Sequence, residues 1–319
     1  MCGLYGFLIY GDSKINRDAL TKSLAVEAAV RGKDSTGVAY NNNGHLAVYK
    51  KPQSAYDIKF NLPNAGAVVG HTRYVTQGSA KNNYNNHPFV GRTKKNMFAL
   101  AHNGVLMNDR ELRSEFSLPE TKIDTDSYIA VQLIEMCKKL DFESLKFMAE
   151  HISGSYSFSI LDDKDNIYLV KGDSPLCILH FQKRKLYVYA STPEILWKGI
   201  VDTELFDDLK NMQYVDISIK DGDIVKLCCD GTVERSRFAY RECFDMYCDW
   251  RYYRNGRGSF TTDCNRYVGD DDYYQTYIEN LKSVANGLGY SPDEVDELLN
   301  EGFMPEEIEE YLYCGETEV

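Results

Sequence analysis

The sequence predicts an α+β fold in which strands and helices are segregated into layers. Two groups of strand-like segments are separated by helical patterns, whereas a parallel α/β fold alternates strands with helices. The chain has 319 residues, 43% of them apolar, which is enough for about two domains of ordinary size. The net charge of −12 is concentrated at one end, because residues 270–319 hold 15 acidic side chains against one lysine. The rest of the chain is close to neutral.

The elements follow one another in a definite order. An apolar run predicts a first strand at 2–10, and the polar break at 11–13 precedes a helical pattern at 17–30. Four further strands are predicted at 37–40, 45–50, 65–72 and 97–101. Helical periodicity occupies 125–139 and 142–151. The second group of strands is predicted at 155–161, 166–170, 176–181, 185–190 and 223–228.

The C-terminal part changes character after the last of these strands. Residues 235–269 form a predicted connector with seven arginines, nine aromatic residues and no lysine. These side chains suit either stacking on single-stranded nucleic acid or packing back on the main domain, and the interspersed acidic residues favour packing. Residues 270–319 predict an acidic three-helix appendage, with helices at about 273–286, 292–300 and 305–312. Ser291, Pro292 and Glu294 give the second of these helices a capping-box start.

The composition also bears on compartment and cofactors. No apolar run approaches the roughly 18 residues of a membrane span, and the first residues lack the basic region of a signal peptide. Nine cysteines, an odd number without framework spacing, predict reduced thiols in a cytoplasmic protein. Five of them lie between residues 228 and 264, but they form no CxxC pair and no histidine follows His180. We therefore expect no metal and no cofactor, and a near-neutral body argues against a nucleic-acid partner.

The sharpest single feature is Cys2. Removal of Met1 before this small residue leaves one residue with both a thiol nucleophile and a free α-amine, which is a nucleophile and base pair. The α-amine has an ordinary pKa of about 7.7–8.0, so that an appreciable neutral fraction is available to accept the thiol proton. A buried structural cysteine is the alternative interpretation of Cys2 alone.

Five motifs follow MCGLYG in a fixed order, and together they favour the catalytic interpretation. They are RGKDSTG at 31–37, GHTRYVTQG at 70–78, NNHP at 85–88, AHNG at 101–104 and DTDS at 124–127. This series resembles the glutaminase domain of class II glutamine amidotransferases, in the branch of glucosamine-6-phosphate synthase and amidophosphoribosyltransferase. The resemblance implies a four-layer αββα N-terminal nucleophile hydrolase sandwich over 2–234, with 235–319 as a small helical appendage and its connector.

The resemblance also implies roles for individual residues. Cys2 matches the nucleophile, and Asn103 with Gly104 matches the oxyanion hole, although an isolated Asn-Gly more often forms a type I′ turn. Arg73 matches the residue that binds the α-carboxylate of glutamine, and Asp126 the residue that binds its α-ammonium. Asp124 is the alternative in register, and either aspartate is also suited to capping the following helix.

Further positions match residues that line the family's substrate site. These predicted positions are Arg31, Gly32, Tyr74, Thr76 and His87. The chain departs from the family at Tyr74, where tryptophan is common, at Gln77, where histidine is common, and at Lys33 in the Arg-Gly turn. The departures at Tyr74 and Gln77 concern the loop that covers glutamine.

The predicted function is a glutaminase whose ammonia acceptor is supplied in trans or is absent. Only about 89 residues follow position 230, too few for a sugar-isomerase or phosphoribosyltransferase domain. The predicted partners are glutamine and an ammonia-accepting synthase or another protein that docks on the acidic helices. Those helices are weakly similar to a ubiquitin-associated module, and a merely solvated cap fits them equally well. An amidase for a different amide and a glutamine-binding regulatory subunit are the alternative functions.

Overall fold

The computed structural model describes residues 2–240 and 290–300, together with the single positions 278, 281, 282, 285 and 308. The chain divides into two compact units, Met1–Gly256 and Arg257–Val319. Most of the predicted connector lies outside the described residues. Strand β13, Val233–Arg237, continues through the predicted boundary at 234, and Phe238 after it is buried in the core of the first unit.

The first unit contains six helices and thirteen strands among its described residues. The helices are α1 Arg17–Ala28, α2 Asp109–Glu115, α3 Tyr128–Met136, α4 Phe142–His151, α5 Pro193–Val201 and α6 Phe206–Lys210. The strands up to the middle of the chain are β1 Gly3–Ile9, β2 Ser35–Asn42, β3 His45–Lys51, β4 Ala67–Arg73, β5 Phe89–Arg92, β6 Met97–Leu106 and β7 Gly154–Asp162. The others are β8 Ile167–Lys171, β9 Cys177–Phe181, β10 Leu186–Ala190, β11 Val215–Asp216, β12 Asp223–Leu227 and β13 Val233–Arg237.

The strands form two antiparallel sheets. The first sheet has the order β11-β9-β10-β1-β4-β2-β3, and the second has the order β13-β12-β8-β7-β6-β5. Strand β1 is central in the first sheet, where Gly3 lies opposite Thr72 of β4 and Tyr5 lies opposite Ala190 of β10. The N-terminus of the chain is therefore fixed between two strands, because both neighbours of β1 restrain it.

The two sheets pack face to face, with helices on both outer sides. A central apolar cluster joins residues of both sheets, among them Leu4, Val69, Ala101 and Leu169. A second cluster packs α1, α5 and α6 against the outer face of the first sheet, and a third packs α2, α3 and α4 against the outer face of the second. This arrangement confirms the predicted four-layer αββα sandwich.

The sequence interpretation located the central elements and missed several peripheral ones. The predicted strands and the helices at 17–30 and 125–139 are present with shifted ends, and the helix at 142–151 has its predicted bounds. Helix α5 was not predicted, although Thr192 caps it by accepting a hydrogen bond from the Ile195 amide and Pro193 occupies its first turn. Helices α2 and α6 and strands β5, β11 and β13 are short and were also missed.

The described part of the C-terminal unit centres on the helix Pro292–Asn300, which was predicted with these bounds. The Ser291 amide donates to Glu294 Oε2 at 2.6 Å, as expected for the predicted helix start. Leu281, Ala285, Val295 and Ile308 form a small buried cluster. The bounds of the predicted helices 273–286 and 305–312 lie outside the described residues. No helix in the described segments combines the length and apolar character needed to cross a membrane.

Candidate active site

Cys2 lies at the end of the gap between the two sheets. Side chains alternate along a strand, and Leu4 belongs to the inter-sheet core, so Cys2 two residues earlier points into the same gap. The register of β1 with β4 pairs Gly3 with Thr72, and its continuation sets Cys2 opposite Arg73. The nucleophile and the predicted carboxylate-binding arginine are therefore neighbours across two paired strands.

Asn103 faces the same end of the gap from the second sheet. It lies two residues after Ala101, which belongs to the inter-sheet core, so the two side chains share a face of β6. The sheets are joined here by a hydrogen bond of 2.9 Å between His71 Nε2 of β4 and the carbonyl of His102. Because His71 is two residues from Arg73 and His102 adjoins Asn103, this contact brings the predicted site residues of both sheets together.

The thiol of Cys2 is buried and neutral. The residue is 9% exposed, and its Sγ lies 3.5 Å from the carbonyl oxygen of Tyr74. Burial raises the pKa of the thiol, and the opposing charge of Arg73 lowers it by a smaller amount. A thiol in this state needs a base before it can act as a nucleophile, and a backbone carbonyl cannot serve as one.

The turn at residues 31–34 holds the N-terminus and the loop after β4. Arg31 Nε donates to the carbonyl of Cys2 at 2.8 Å. Gly32 packs so closely that a Cβ atom there would lie 2.3 Å from the carbonyl carbon of Arg73, which explains the glycine. Asp34, which the sequence interpretation did not assign, donates its amide to the Arg73 carbonyl at 3.0 Å and accepts the Val75 amide at 2.7 Å.

Asn103 and Gly104 lie within strand β6, so the alternative of a type I′ turn is wrong. Asn103 is 1% exposed, and its Nδ2 has no hydrogen-bond partner among the described residues. Gly104 has φ +136°, and a Cβ atom there would lie 1.9 Å from the Ser155 carbonyl oxygen. A buried amide donor without a partner costs free energy, as expected for a group reserved for a ligand.

Arg73 is 3% exposed and held by several acceptors. Nη1 donates to Asn86 Oδ1 at 2.7 Å, and Nη2 donates to the carbonyls of Gln77 at 2.5 Å and Gly78 at 3.4 Å. The guanidinium is therefore fixed in orientation before any substrate binds. Asn86 was not assigned from the sequence, although it belongs to the NNHP motif.

Asp126 and Asp124 have different surroundings. Asp126 is buried, and its Oδ2 accepts the amide of Leu106 at 2.6 Å. Its charge acts on both the Cys2 thiol and the Arg73 guanidinium. Asp124 is exposed and pairs with Asn85, whose Nδ2 lies 3.2 Å from Asp124 Oδ2. Of the two aspartates, the structure brings Asp126 to the site.

Neither aspartate caps the following helix. The residue before α3 is Ser127, and its side chain makes no capping hydrogen bond. The backbone carbonyls of Thr125 and Asp126 accept the first amides of the helix instead. The carboxylate of Asp126 thus lies against strand β6 at Leu106, two residues after Gly104.

Two predicted lining residues lie on an exposed loop. Tyr74 is 55% exposed, and its backbone carbonyl rather than its ring lies near Cys2. Thr76 is exposed as well. The structure therefore brings the backbone of residue 74 to the thiol but leaves both side chains directed to the surface.

His87 lies in a cluster of three buried histidines. Its ring centroid is 4.1 Å from that of His71 and 6.5 Å from that of His102. Both ring nitrogens of His87 are without hydrogen-bond partners in the described part of the chain. Burial lowers the pKa of His71 to about 3 and that of His87 well below its ordinary value. Burial also lowers the pKa of His102, so that the three rings are neutral at physiological pH.

This cluster predicts acid-sensitive stability. A histidine kept neutral in the folded state binds a proton in the unfolded chain below about pH 6.5, so that stability is complete above that pH and is lost as the pH falls. We expect His71 alone to lower the free energy of unfolding by about 2 kcal/mol at pH 5 relative to pH 8. Urea unfolding at the two pH values measures this, and His71→Gln should show a smaller difference. A substitution of exposed His45 is the control, and equal pH dependence of all three proteins would contradict the prediction.

Comparison with known proteins agrees with this geometry. Residues 71–198 match the family model described as a glutamine amidotransferase domain. The glutamine–fructose-6-phosphate aminotransferase (isomerizing) of Staphylococcus aureus is 33% identical over 188 residues, which cover 56% of this chain and 30% of that protein. The enzyme of the same name from Staphylococcus epidermidis is 31% identical over the same shares. The alignment thus covers less than a third of the length of these relatives.

Solved structures support the fold. The glutamine phosphoribosylpyrophosphate amidotransferase of B. subtilis, in complex with ADP and GMP, matches with a TM-score of 0.57 at 20% identity, over 75% of this chain and 50% of that one. A structure described as the allosteric regulatory enzyme of purine biosynthesis matches with a TM-score of 0.58 at 20% identity over the same shares.

The layered architecture, with a cysteine at the start of a central strand, defines an N-terminal nucleophile hydrolase fold. Within that class, the chain carries a class II glutamine amidotransferase domain.

Proposed function

We propose that the mature protein, after loss of Met1, hydrolyses the side-chain amide of glutamine to glutamate and ammonia through a thioester on Cys2. The observation that carries this proposal is the convergence of four groups at one end of the inter-sheet gap. These groups are the Cys2 thiol, the fixed cation of Arg73, the buried carboxylate of Asp126 and the unpartnered amide of Asn103. Together they match the charges and the reacting carbonyl of glutamine.

The first step needs a base, since burial keeps the thiol protonated. In the mature protein the α-amine of Cys2 takes the thiol proton as Sγ attacks the amide carbon. The same proton then passes to the leaving nitrogen, the carbon–nitrogen bond breaks and ammonia departs. Water attacks the resulting thioester, which releases glutamate and regenerates the thiol.

The negative charge that develops on the amide oxygen needs preorganised donors. The side-chain Nδ2 of Asn103 and the backbone N–H of Gly104 are the proposed pair. Among the described residues, Nδ2 of Asn103 has no acceptor until the substrate carbonyl binds. Such a donor stabilises the tetrahedral intermediate without first having to break a bond within the protein.

The zwitterionic end of glutamine requires one cation and one anion in fixed positions. Arg73 binds the α-carboxylate through the charge of its guanidinium and the N–H donors that its protein contacts leave free, and Asp126 binds the α-ammonium. Arg31 and Gly32 support the N-terminus and the loop after β4, and His87 is buried beside His71. Tyr74 covers the thiol with its carbonyl, so that residues 74–79 have to move for glutamine to enter.

The fate of ammonia belongs to the same proposal. The relatives are named for amino transfer to fructose 6-phosphate, and this chain aligns with 30% of their length. We propose that the chain either releases ammonia or passes it to a partner synthase, with residues 270–319 as the docking appendage. The proposed location is the cytoplasm, where the catalytic thiol stays reduced.

The test is an assay of the purified protein with glutamine. Mass spectrometry first establishes that Met1 is absent, and glutamate and ammonia are then measured in parallel. Equal amounts of both products, at a rate proportional to the fraction of protein that lacks Met1, would support the proposal. Absence of both products from fully processed protein, with or without the tail at 270–319, would refute it.

Asp126 and Asp124 provide a matched pair for the ammonium site. Asp126→Asn keeps an acceptor for the Leu106 amide but removes the charge, so we expect the KM for glutamine to rise about 10- to 100-fold. Asp124→Asn changes an exposed carboxylate, and its KM should stay within about twofold of the original value. Steady-state kinetics at fixed pH measures both. A larger effect at Asp124 than at Asp126 would reverse the assignment.

A further inference from the structure

We propose that Asn86 is a positioning residue that selects substrates with an α-carboxylate, by holding the Arg73 guanidinium in its binding orientation. The inference rests on the proposed binding of glutamine, which it deepens. Asn86 lies in the NNHP motif, where only His87 was assigned from the sequence.

The contact with Arg73 is direct and buried. Asn86 is fully buried, and its Oδ1 accepts a hydrogen bond of 2.7 Å from Arg73 Nη1. Nη2 is engaged by the carbonyls of Gln77 and Gly78. These three bonds use three of the five N–H donors of an arginine. The N–H donors that these bonds leave free, together with the charge of the guanidinium, are then available to a carboxylate.

Asn86 is itself fixed from three sides. Its Nδ2 donates to the Ala80 carbonyl at 2.8 Å and to Asn83 Oδ1 at 3.2 Å. The ammonium of Lys50 donates to the Asn86 carbonyl at 2.5 Å and to the Pro88 carbonyl at 3.0 Å. The side-chain amide therefore has one orientation that satisfies both of its ends, with nitrogen toward Ala80 and oxygen toward Arg73.

This arrangement gives Arg73 an acceptor without a charge. A carboxylate at position 86 would pair with the guanidinium and compete with the carboxylate of the substrate. An apolar residue would leave the Nη1 donor buried without a partner and free to rotate toward another acceptor. An amide orients the cation and leaves its charge available, which is the property that recognition of a carboxylate requires.

A role in positioning and a role in loop anchoring predict different results. If Asn86 only anchors the loop at 77–80, its loss lowers the affinity for all ligands of the site to a similar degree. If Asn86 positions Arg73, its loss lowers the affinity only for ligands that have an α-carboxylate. The useful pair of ligands is glutamine and 4-aminobutanamide, which is glutamine without that carboxylate.

The experiment measures binding by titration calorimetry in a Cys2→Ala background, so that the result does not depend on turnover. We expect Asn86→Ala to lower the affinity for glutamine about 10- to 100-fold and that for 4-aminobutanamide less than about twofold. Adding Arg73→Ala should have no further effect on the affinity for glutamine, because both changes remove the same interaction. Asn86→Asp keeps the shape of the side chain and should show the same selective loss if Asn86→Ala does not fold.

Asn85→Ala is the matched control, since Asn85 is equally buried and its side chain bonds the Ser79 carbonyl and Asp124 rather than Asn86 or Arg73. Its affinities for the two ligands should change by the same factor. Equal losses of affinity for both ligands in Asn86→Ala, or a selective loss in Asn85→Ala, would overturn the inference while ammonia release by the wild type upholds the proposed function. A Cys2→Ala parent that binds no glutamine would overturn the inference together with the assignment of Arg73.

Discussion

Cys2→Ala is expected to reduce ammonia release from glutamine by at least about a thousandfold while the protein stays folded. The substitution removes the protein atom that bonds to the amide carbon of glutamine in the proposed mechanism. Among the described residues, the Cys2 thiol makes one long hydrogen bond, from Sγ to the Tyr74 carbonyl, and alanine removes a single atom, so we expect little change in stability. Thermal unfolding of the two proteins should differ by no more than a few degrees.

The control for this prediction is another thiol. Cys229 is exposed and lies in the turn between β12 and β13, away from the inter-sheet gap. Cys229→Ala should therefore retain full activity. Alkylation by iodoacetamide provides a second readout, because glutamine should protect Cys2 and leave Cys229 reactive. Undiminished ammonia release by Cys2→Ala would show that the thioester mechanism is wrong.

A chain that retains Met1 tests whether the α-amine of Cys2 is the base in the same mechanism. A chain in which processing is blocked keeps the Cys2 thiol but converts its α-amine into a peptide nitrogen, which has no basicity. The thiol pKa is raised by burial, so that such a chain should lose activity to nearly the same extent as Cys2→Ala. Substantial turnover by protein shown to retain Met1 would mean that another group accepts the thiol proton.

The site residues that could be predicted lie in short motifs whose residue types indicate their chemical roles. Cys2, Arg73 and Asn103 lie in motifs whose residue types match nucleophilic attack, carboxylate binding and oxyanion stabilisation. The alternation of apolar residues in β1 and β6 is local as well. Once these strands are assigned to the inner faces of two sheets, the alternation directs Cys2 and Asn103 into the same gap.

The residues that were missed act through contacts between distant segments. Asn86 contacts Arg73, which lies 13 positions earlier in the sequence, and Lys50, which lies 36 positions earlier. Neither contact follows from local sequence patterns. The carboxylate of Asp34 accepts a hydrogen bond from the amide of Val75, which lies 41 positions later in the loop after β4. Helix α5 is a different case, because Thr192 and Pro193 give the same start signal that identified the helix at 292. That signal was available in the sequence and was overlooked.

Asn103→Ala is expected to lower kcat for glutamine by about 100- to 1000-fold with little change in KM. The hydrogen bond proposed from the Asn103 amide to the substrate oxygen is strongest when that oxygen carries negative charge. Arg73 and Asp126, in contrast, bind the substrate in its ground state. The backbone N–H of Gly104 remains, so that a measurable residual rate is expected. Steady-state kinetics of well-folded variant protein measures both parameters.

The stability of the same variant separates a catalytic amide from a structural one. Nδ2 of Asn103 is buried without a partner in the described chain, so its removal should leave the free energy of unfolding nearly unchanged or slightly raised. Asn41 is the matched control, because its buried Nδ2 donates to the Asp162 carbonyl at 2.8 Å and to Asp165 Oδ1 at 2.9 Å. Asn41→Ala should therefore cost about 1–3 kcal/mol of stability and leave kcat intact. The reverse pattern, with stability lost at Asn103 and kcat preserved, would mean that its amide supports the fold and that the oxyanion is stabilised elsewhere.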